Sequence, residues 1–564
     1  MRKILTIFLL LACSLVAEAD KWYIATTGSD THGKGTLADP WLTLKHATDT
    51  VTGANFVGDT IVVGVGTFTE TAQINLGVGV SIYGAGATSI ISSTVAYEGT
   101  GNTIPTIQLV SAVEGTDGSQ SISYLAFDGN SYTADVGIAV WLRKNVVIHH
   151  VDMVDCHYSG IQMTGAVGAP TTYATGNEIH DCNIYDCGGP NASYGNVQIG
   201  AQSGMKIYNN TIEQPQRTGY NQAGFGIKYF RQGHLHGLKI YNNTIICEEG
   251  NEYDEWQAAI ELFGCEGGLE IYGNYFEGTM DFSDFVGSPG TSDTEGYGYA
   301  VKIYDNFSNR TTNTVLGAQF TVFERETKGG VYIYNNLIKN VAPAITFANP
   351  ANGVTEDIYI YYNIFHSLGT VASKEEDGGI MIGRFSDALT VAYDNINILN
   401  NVFIDNSVGE PNYGIRFRGG VGITYDNINI KNNIIKDFTT GIGAGISFSY
   451  VTCNNLNIEN NCINGCTADI LKTDCTITND VTQNNITVDP EFLSSSDFHL
   501  QSTSPARDAG IDVSAITGGL DFHGASLYGA AYDIGAFEYG VGRMMILNDS
   551  IMPTINYKTP LIEH

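Results

Sequence analysis

The sequence predicts an all-β solenoid, a stack of coils built from short parallel strands. Three observations carry this. An eight-residue phrase recurs along the chain at intervals of 27 to 38 residues. Inside each copy the apolar residues alternate, the period of a strand. The composition is rich in Gly (66) and Tyr (32), poor in Pro (13), and only 15% charged, which suits a β-rich, turn-rich protein.

The copies run "MKIYNNTI" (205–212), "LKIYNNTI" (238–245), "LEIYGNYF" (269–276), "VKIYDNFS" (301–308) and "VYIYNNLI" (331–338). They continue as "IYIYYNIF" (358–365), "INILNNVF" (396–403), "INIKNNII" (428–435) and "LNIENNCI" (456–463). Weaker copies, "NVVIHHVDM" and "NEIHDCNIY", precede them. A period in this range marks a solenoid. The second Asn falls at Asn210, Asn243, Asn274, Asn306, Asn336, Asn363, Asn401, Asn433 and Asn461. Each strand ends there because Asn and Gly tolerate the left-handed backbone of a sharp bend. Stacked Asn side chains can bond up and down the stack, so these residues are assigned a structural role. Long helical-period segments are missing from the sequence, which sets a helical solenoid aside.

Upstream of each Asn phrase lies another strand. These read "GIQM" (160–163), "VQIG" (197–200), "GIKYF" (226–230), "AIELF" (259–263), "MDFSD" (280–284) and "FTVFE" (320–324). Alternation turns Ile161, Val197, Ile227, Ile260, Met280 and Phe320 inward. It turns Gln162, Gln198, Lys228, Glu261, Asp281 and Thr321 outward, followed by Thr346, Met381, Arg416 and Ser447. Neighbouring coils lie about 4.8 Å apart in a parallel sheet, so Lys228, Glu261 and Asp281 should form one column.

The charge pattern draws attention to that column. The chain carries a net charge of -32. Gln214 to Cys247 nevertheless holds no acid, whereas Glu248 to Glu295 holds thirteen acids and no Lys or Arg. Neighbouring coils touch, so segregation along the chain becomes contact in space. The longest inserts flank the same place, "CEEGNEYDEWQ" and "VGSPGTSDTEGYG", bringing Trp256, Tyr253 and further Tyr residues of the kind that stack on sugars. His234 and His236 leave the Lys228 strand on its turn. A solvated outer face and a binding groove are both open for this column. Arg384, Arg416 and Arg418 form a second basic group, read first as a solvated face and alternatively as a surface for anionic sugar.

The ends are read separately. "MRK", then "ILTIFLLLA", then "AEA" form a signal peptide over 1–19. "LLAC" offers an alternative, a lipid anchor at Cys13 on the cell surface. The protein is therefore expected to be secreted or periplasmic. No later stretch has the roughly 18 apolar residues of a membrane helix. Nine cysteines follow Cys13, an odd number, readable as disulfide partners or as small buried residues. A pI near 4.5 argues against a nucleic-acid partner. The absence of G-x-S-x-G, zinc and P-loop motifs points away from serine, zinc and nucleotide chemistry.

The whole pattern resembles the right-handed parallel β-helix proteins of the pectate-lyase-like superfamily. The Asn phrases carry the resemblance. "WYIATTGSDTHGKGTLADPWLTLKHA" (22–47) looks like the N-terminal cap of secreted bacterial members. "VDPEFLSSSDFHL", "SPARDAG" and "YDIGAFEY" (488–539) look like their C-terminal segment. The implied layout is a cap at 20–56, a single right-handed parallel β-helix with long loop inserts at 57–487, a C-terminal β-helix segment at 488–540, and a tail at 541–564 without an assignable role.

Polysaccharide is the partner the resemblance implies, and a lyase cleaving an acidic glycan is the first activity. By position and residue type, Lys228 matches the base that removes the proton beside a uronic carboxylate. Arg231 or bound calcium would assist it, although Glu261 opposes loss of the lysine proton, and in a hydrolase Lys228 or His234 would bind substrate or tune a carboxyl pKa. Glu261, Asp281, Asp254 and Glu255 are the oxygen ligands calcium prefers. Trp256, His236, Gln198 and Tyr253 would hold sugar. A glycoside hydrolase with Glu261 and Asp281 as its carboxyl pair is the alternative. A non-catalytic adhesin or glycan-binding β-helix is the third.

Overall fold

The computed structural model describes residues 19–95, 104–165, 174–188, 194–215, 225–229, 234–247, 258–282, 296–309, 319–341, 343–348, 353–368, 378–383, 390–405, 413–439, 443–526 and 531–540. The predicted signal segment over 1–18, including Cys13, and the tail at 541–564 lie outside them. Among the described residues no helix is long and apolar enough to cross a membrane.

The chain is a parallel β-helix. Its strands fall into a 28-stranded, a 14-stranded and a 4-stranded sheet among the described residues. Each named strand pairing is parallel, and each strand bonds its counterpart one coil earlier and one coil later, as Lys206–Tyr208 does with Glu178–His180 and Lys239–Tyr241. One coil shows the plan. Gly195–Ile199 runs in the 14-stranded sheet and Gln202–Ser203 in the 4-stranded sheet. Lys206–Tyr208 and Thr211–Gln214 then run in the 28-stranded sheet, either side of an Asn corner.

That corner is where the repeat phrase does its work. Asn209, Asn242, Asp305, Asn335, Asn400, Asn432 and Asn460 take φ between 52° and 57°, the left-handed bend. The residue after each is a buried Asn in a continuous ladder. Asn306, for example, donates its backbone N–H and its side-chain Nδ2 to Asn336 Oδ1, at 3.1 and 3.0 Å. Its Nδ2 also reaches the Ile271 carbonyl at 2.9 Å. The same links run from Asn210 to Asn485. The ladder satisfies polar groups that a buried bend would otherwise strand.

On the outer side of the same corner the rings of Tyr208, Tyr241, Tyr272, Tyr304, Tyr334 and Tyr361 stack, 4.8 to 5.0 Å apart and within 6° of parallel. The spacing is that of the coils themselves, so a repeated Tyr stacks without adjustment.

Inside, Ile161, Val197, Ile227, Ile260 and Met280 are fully buried and sit in register, as alternation requires. One expectation fails here. Thr321, expected outward, pairs with Met280 and Ile345 and occupies the inward column, while Val322 faces out beside Asp281. The cause is aromatic packing. Phe323 stacks between Phe282 and Phe347 at 4.7 and 4.6 Å, and that sets the register one residue away from the one matching Phe320 to Met280.

At the N-terminus, Lys21–Ile24 pairs with Thr60–Val63, and helix Leu44–Thr50 follows. Thr43 caps the helix through His46 N–H, and Glu70 accepts the Leu44 N–H at 2.7 Å. At the other end the corner residues of the last coils hold the C-terminal segment. Asn432 accepts from Ile511 N–H at 2.9 Å and donates to the Ile511 carbonyl at 2.8 Å. Asn460 Nδ2 donates to Ala509. Among the described residues no disulfide joins the nine cysteines after Cys13, and seven of these are buried.

Candidate functional site

The outward column of the 14-stranded sheet forms as alternation predicts. Gln162 pairs with Gln198, Gln198 with Lys228, Lys228 with Glu261 and Glu261 with Asp281. Lys228 projects from strand Phe225–Tyr229, Glu261 from Ala258–Leu262 and Asp281 from Thr279–Phe282. Alternating residues on each strand sink into the core, which fixes the direction of the polar ones.

The column is connected. Trp141 Nε1 donates to Gln162 Oε1, and Gln162 Nε2 donates to Gln198 Oε1, both at 2.8 Å. Lys228 Nζ is ion-paired with Glu261 Oε2 and lies 3.6 Å above the Phe225 ring centroid. A β-carbon at Gly195 would come within 2.7 Å of Lys228 Cβ, so glycine there leaves the lysine its place.

Most of the column is also buried. Gln162 and Gln198 are at most 1% exposed, Asp281 3% and Glu261 8%, while the Lys228 side chain keeps 17% of its surface exposed. An ion pair removed from water to this degree is desolvated and geometrically exacting, unlike a screened surface pair.

His234 and His236 stand on the next turn. His234 Nδ1 lies 2.5 Å from Glu266 Oε1 on the following coil, over the backbone of Gly264. His236 is buried in the 4-stranded sheet between Ser203 and Gly267. Its ring meets Tyr297 edge-on at 5.3 Å. Tyr297 lies across Gly204, Gly237 and Gly268, where any β-carbon would come within 2.5 Å of it. The residue is nonetheless 39% exposed, an aromatic side chain resting on a glycine floor. Glu266 and the placing of Tyr297 escaped sequence reasoning. The available signals were the acid five residues after Glu261 and the Tyr in the long insert.

Arg231, Tyr253, Asp254, Glu255 and Trp256 lie outside the described residues, as does Arg384. The remaining basic group departs from expectation. Arg416 and Arg418 are 8% and 3% exposed and form no solvated face. The Arg416 guanidinium stacks 4.2 Å over the Tyr413 ring, and Arg418 Nη1 contacts Met381 Sδ at 3.8 Å. A planar, weakly hydrated guanidinium tolerates such packing where an ammonium does not.

Fold and column together define a parallel β-helix bearing a buried, mixed-charge line of side chains on one outward face. No family model matches the chain, and no curated protein does. Among solved structures, it is similar to PfbA, a surface adhesin of Streptococcus pneumoniae, at 15% identity and a TM-score of 0.38, covering 73% of this chain and 89% of that one. It is similar to the tailspike protein of E. coli bacteriophage HK620 in complex with a pentasaccharide, at 11% identity and a TM-score of 0.38, covering 79% and 78%. It is similar to pectate lyase Pel9A at 14% identity and a TM-score of 0.32, covering 92% and 96%. At such scores these likenesses carry no argument about chemistry. The architecture stands on the strand pairings, and the chemistry on the side chains.

Proposed function

We propose that the protein is carbohydrate-active and cleaves an acidic polysaccharide at the Lys228–Glu261–Asp281 column. One observation carries this: an ammonium and two carboxylates in register on three consecutive coils, in a largely buried line continued by two glutamines. A uniform structural ladder would repeat one residue type, as the Asn corner does. The change of side chain from Gln198 through Lys228 and Glu261 to Asp281 suits the successive groups of a bound chain.

In eliminative cleavage Lys228 takes the proton beside the sugar's carboxylate and the glycosidic bond breaks toward the leaving oxygen. For this Lys228 must give up its own proton, and Glu261 opposes that while it faces the ammonium. Glu261 and Asp281 are the donors that would hold calcium, with Asp254 and Glu255 proposed to join them. Bound there, calcium would neutralise the sugar carboxylate. Tyr297 is proposed to stack on sugar with its exposed side chain, whereas Gln198 and His236, 1% and 3% exposed, would act from the buried side of the surface.

Hydrolysis is favoured by a separate observation. Glu261 and Asp281 are direct partners on adjacent coils, a spacing near the roughly 5 Å carboxyl gap of retaining glycosidases. A screen against pectate, alginate, glycosaminoglycans and neutral glycans separates the cases. Elimination is expected to give products with the ultraviolet absorbance of an unsaturated uronate. New reducing ends without that absorbance would establish hydrolysis instead. Binding without any product would leave an adhesin.

A further inference from the structure

The two weak copies of the repeat phrase hold a second group of side chains. His149 pairs with His180 across adjacent coils of the 28-stranded sheet, in the same outward line that Tyr208 continues. His150 follows His149 at the corner, with φ 52°, and Asp181 follows His180 with φ 54°. Consecutive residues on a strand point to opposite faces. The left-handed corner removes that opposition, and both histidines of the pair project outward: His149 is half-buried and His150 exposed.

The result is convergence. One ligand nitrogen from each of His149, His150 and His180 lies within 4.8 Å of the others. Among the described residues this is the one group of three or more metal-capable side chains. His149 Nδ1 and His150 Nδ1 face each other at 3.0 Å. Two imidazoles in this arrangement share either a proton or a cation. Asp181 Oδ2 accepts from His180 Nδ1 at 2.7 Å, the outer carboxylate contact that orients metal-binding imidazoles. The rings are held from above and below. Tyr124 stacks on His150 at 4.5 Å and Tyr208 on His180 at 4.7 Å.

We infer that His149, His150 and His180 form a binding site for a divalent transition-metal ion of the zinc class, with Asp181 positioning His180. Metal–nitrogen bonds of 2.0–2.1 Å in tetrahedral geometry place ligand nitrogens about 3.3 Å apart. His149 and His180 now stack nearly parallel at 4.9 Å, so metal binding would require these rings to turn about their broad χ2 torsions and give up part of that stack. Three imidazoles leave a fourth position open to water or an outside ligand. Neutral nitrogen donors select zinc, cobalt, nickel or copper over calcium and magnesium. The site belongs to the 28-stranded sheet, whereas the Lys228 column belongs to the 14-stranded one, so neither depends on the other.

The test is a titration of the purified full chain with Zn²⁺ by calorimetry and with Co²⁺ by visible absorption. One ion per chain is expected, with cobalt bands lacking thiolate charge transfer. His150→Ala and His180→Ala should each weaken zinc binding about a hundredfold or more, and Asp181→Asn about tenfold. His150 is exposed, so His150→Ala should keep the apo protein's circular dichroism and melting temperature. Zinc should raise the melting temperature of the wild type and not of this variant. Absence of uptake, a thiolate–cobalt band, or unchanged affinity in both histidine variants would overturn the assignment.

Discussion

The Asn corner and the outward face of the 14-stranded sheet are built from the same coils yet obey opposite rules. At the corner the same residue recurs on each coil from Asn210 to Asn485, and each copy serves the next. On the sheet face the residue changes on each step: Gln198, Lys228, Glu261, Asp281, Val322. Repetition answers a demand the backbone makes at each bend. Variation answers nothing the backbone asks for, and a buried ion pair contributes little stability over well-packed apolar residues. The difference locates structure in the first region and makes the second the place where the proposed chemistry is to be tested.

The strongest way to break this comparison is at the corner. Asn306→Ala removes the side-chain Nδ2 donor to Asn336 and Ile271 and the acceptor for Asn274, leaving buried groups unsatisfied. A loss of about 3–4 kcal/mol is expected in denaturant unfolding, with no change in the glycan preference of the folded fraction. A loss below about 1 kcal/mol would show that the ladder is not what holds the corner.

On the sheet face the expected pattern is different. Glu261→Ala strands the Lys228 ammonium in a largely desolvated place and should cost about 3 kcal/mol. Lys228→Met combined with Glu261→Met should recover most of that stability, because neither charge remains. The double variant should nonetheless lose glycan turnover altogether. Stability that recovers together with activity would return the column to a structural role.

Tyr272→Leu tests the corner's outer side. It interrupts stacking with Tyr241 and Tyr304, both at 4.9 Å, and should cost about 1–2 kcal/mol without affecting activity.

The smallest effect concerns pH. Burial holds the Asp533 carboxyl above its ordinary value of 3.8, although backbone N–H groups of Asp508 and Tyr539 pull it down. The folded state therefore keeps this proton more tightly than the unfolded chain does. The stabilisation is complete below pH 3.8 and is lost as pH rises through the higher folded value. Thermal unfolding should show a midpoint that drifts down over that window, and Asp533→Asn should flatten the drift.

Much of the molecule was legible in the residues because a solenoid repeats its instructions. Alternation placed Ile227 inward and Lys228 outward, and the pairings agree. The reading failed where two apolar residues competed for one position. Phe320 and Phe323 both match the pattern, and only the stack of Phe323 between Phe282 and Phe347 selects the register that turns Thr321 inward. Arg416 and Arg418 were misplaced for a related reason. Alternation tells which face a side chain leaves from, but not whether that face meets water.

By itself the sequence determined the coil, its period, the Asn corner and the members of the Lys228–Glu261–Asp281 column. These follow from local periodicity and from backbone conformations that few residues tolerate. Only the tertiary structure decided the burial of that column, the His234–Glu266 contact and the convergence of His149, His150 and His180. Each depends on stacking, which brings residues about thirty positions apart to within a few ångströms, a relation no local motif records.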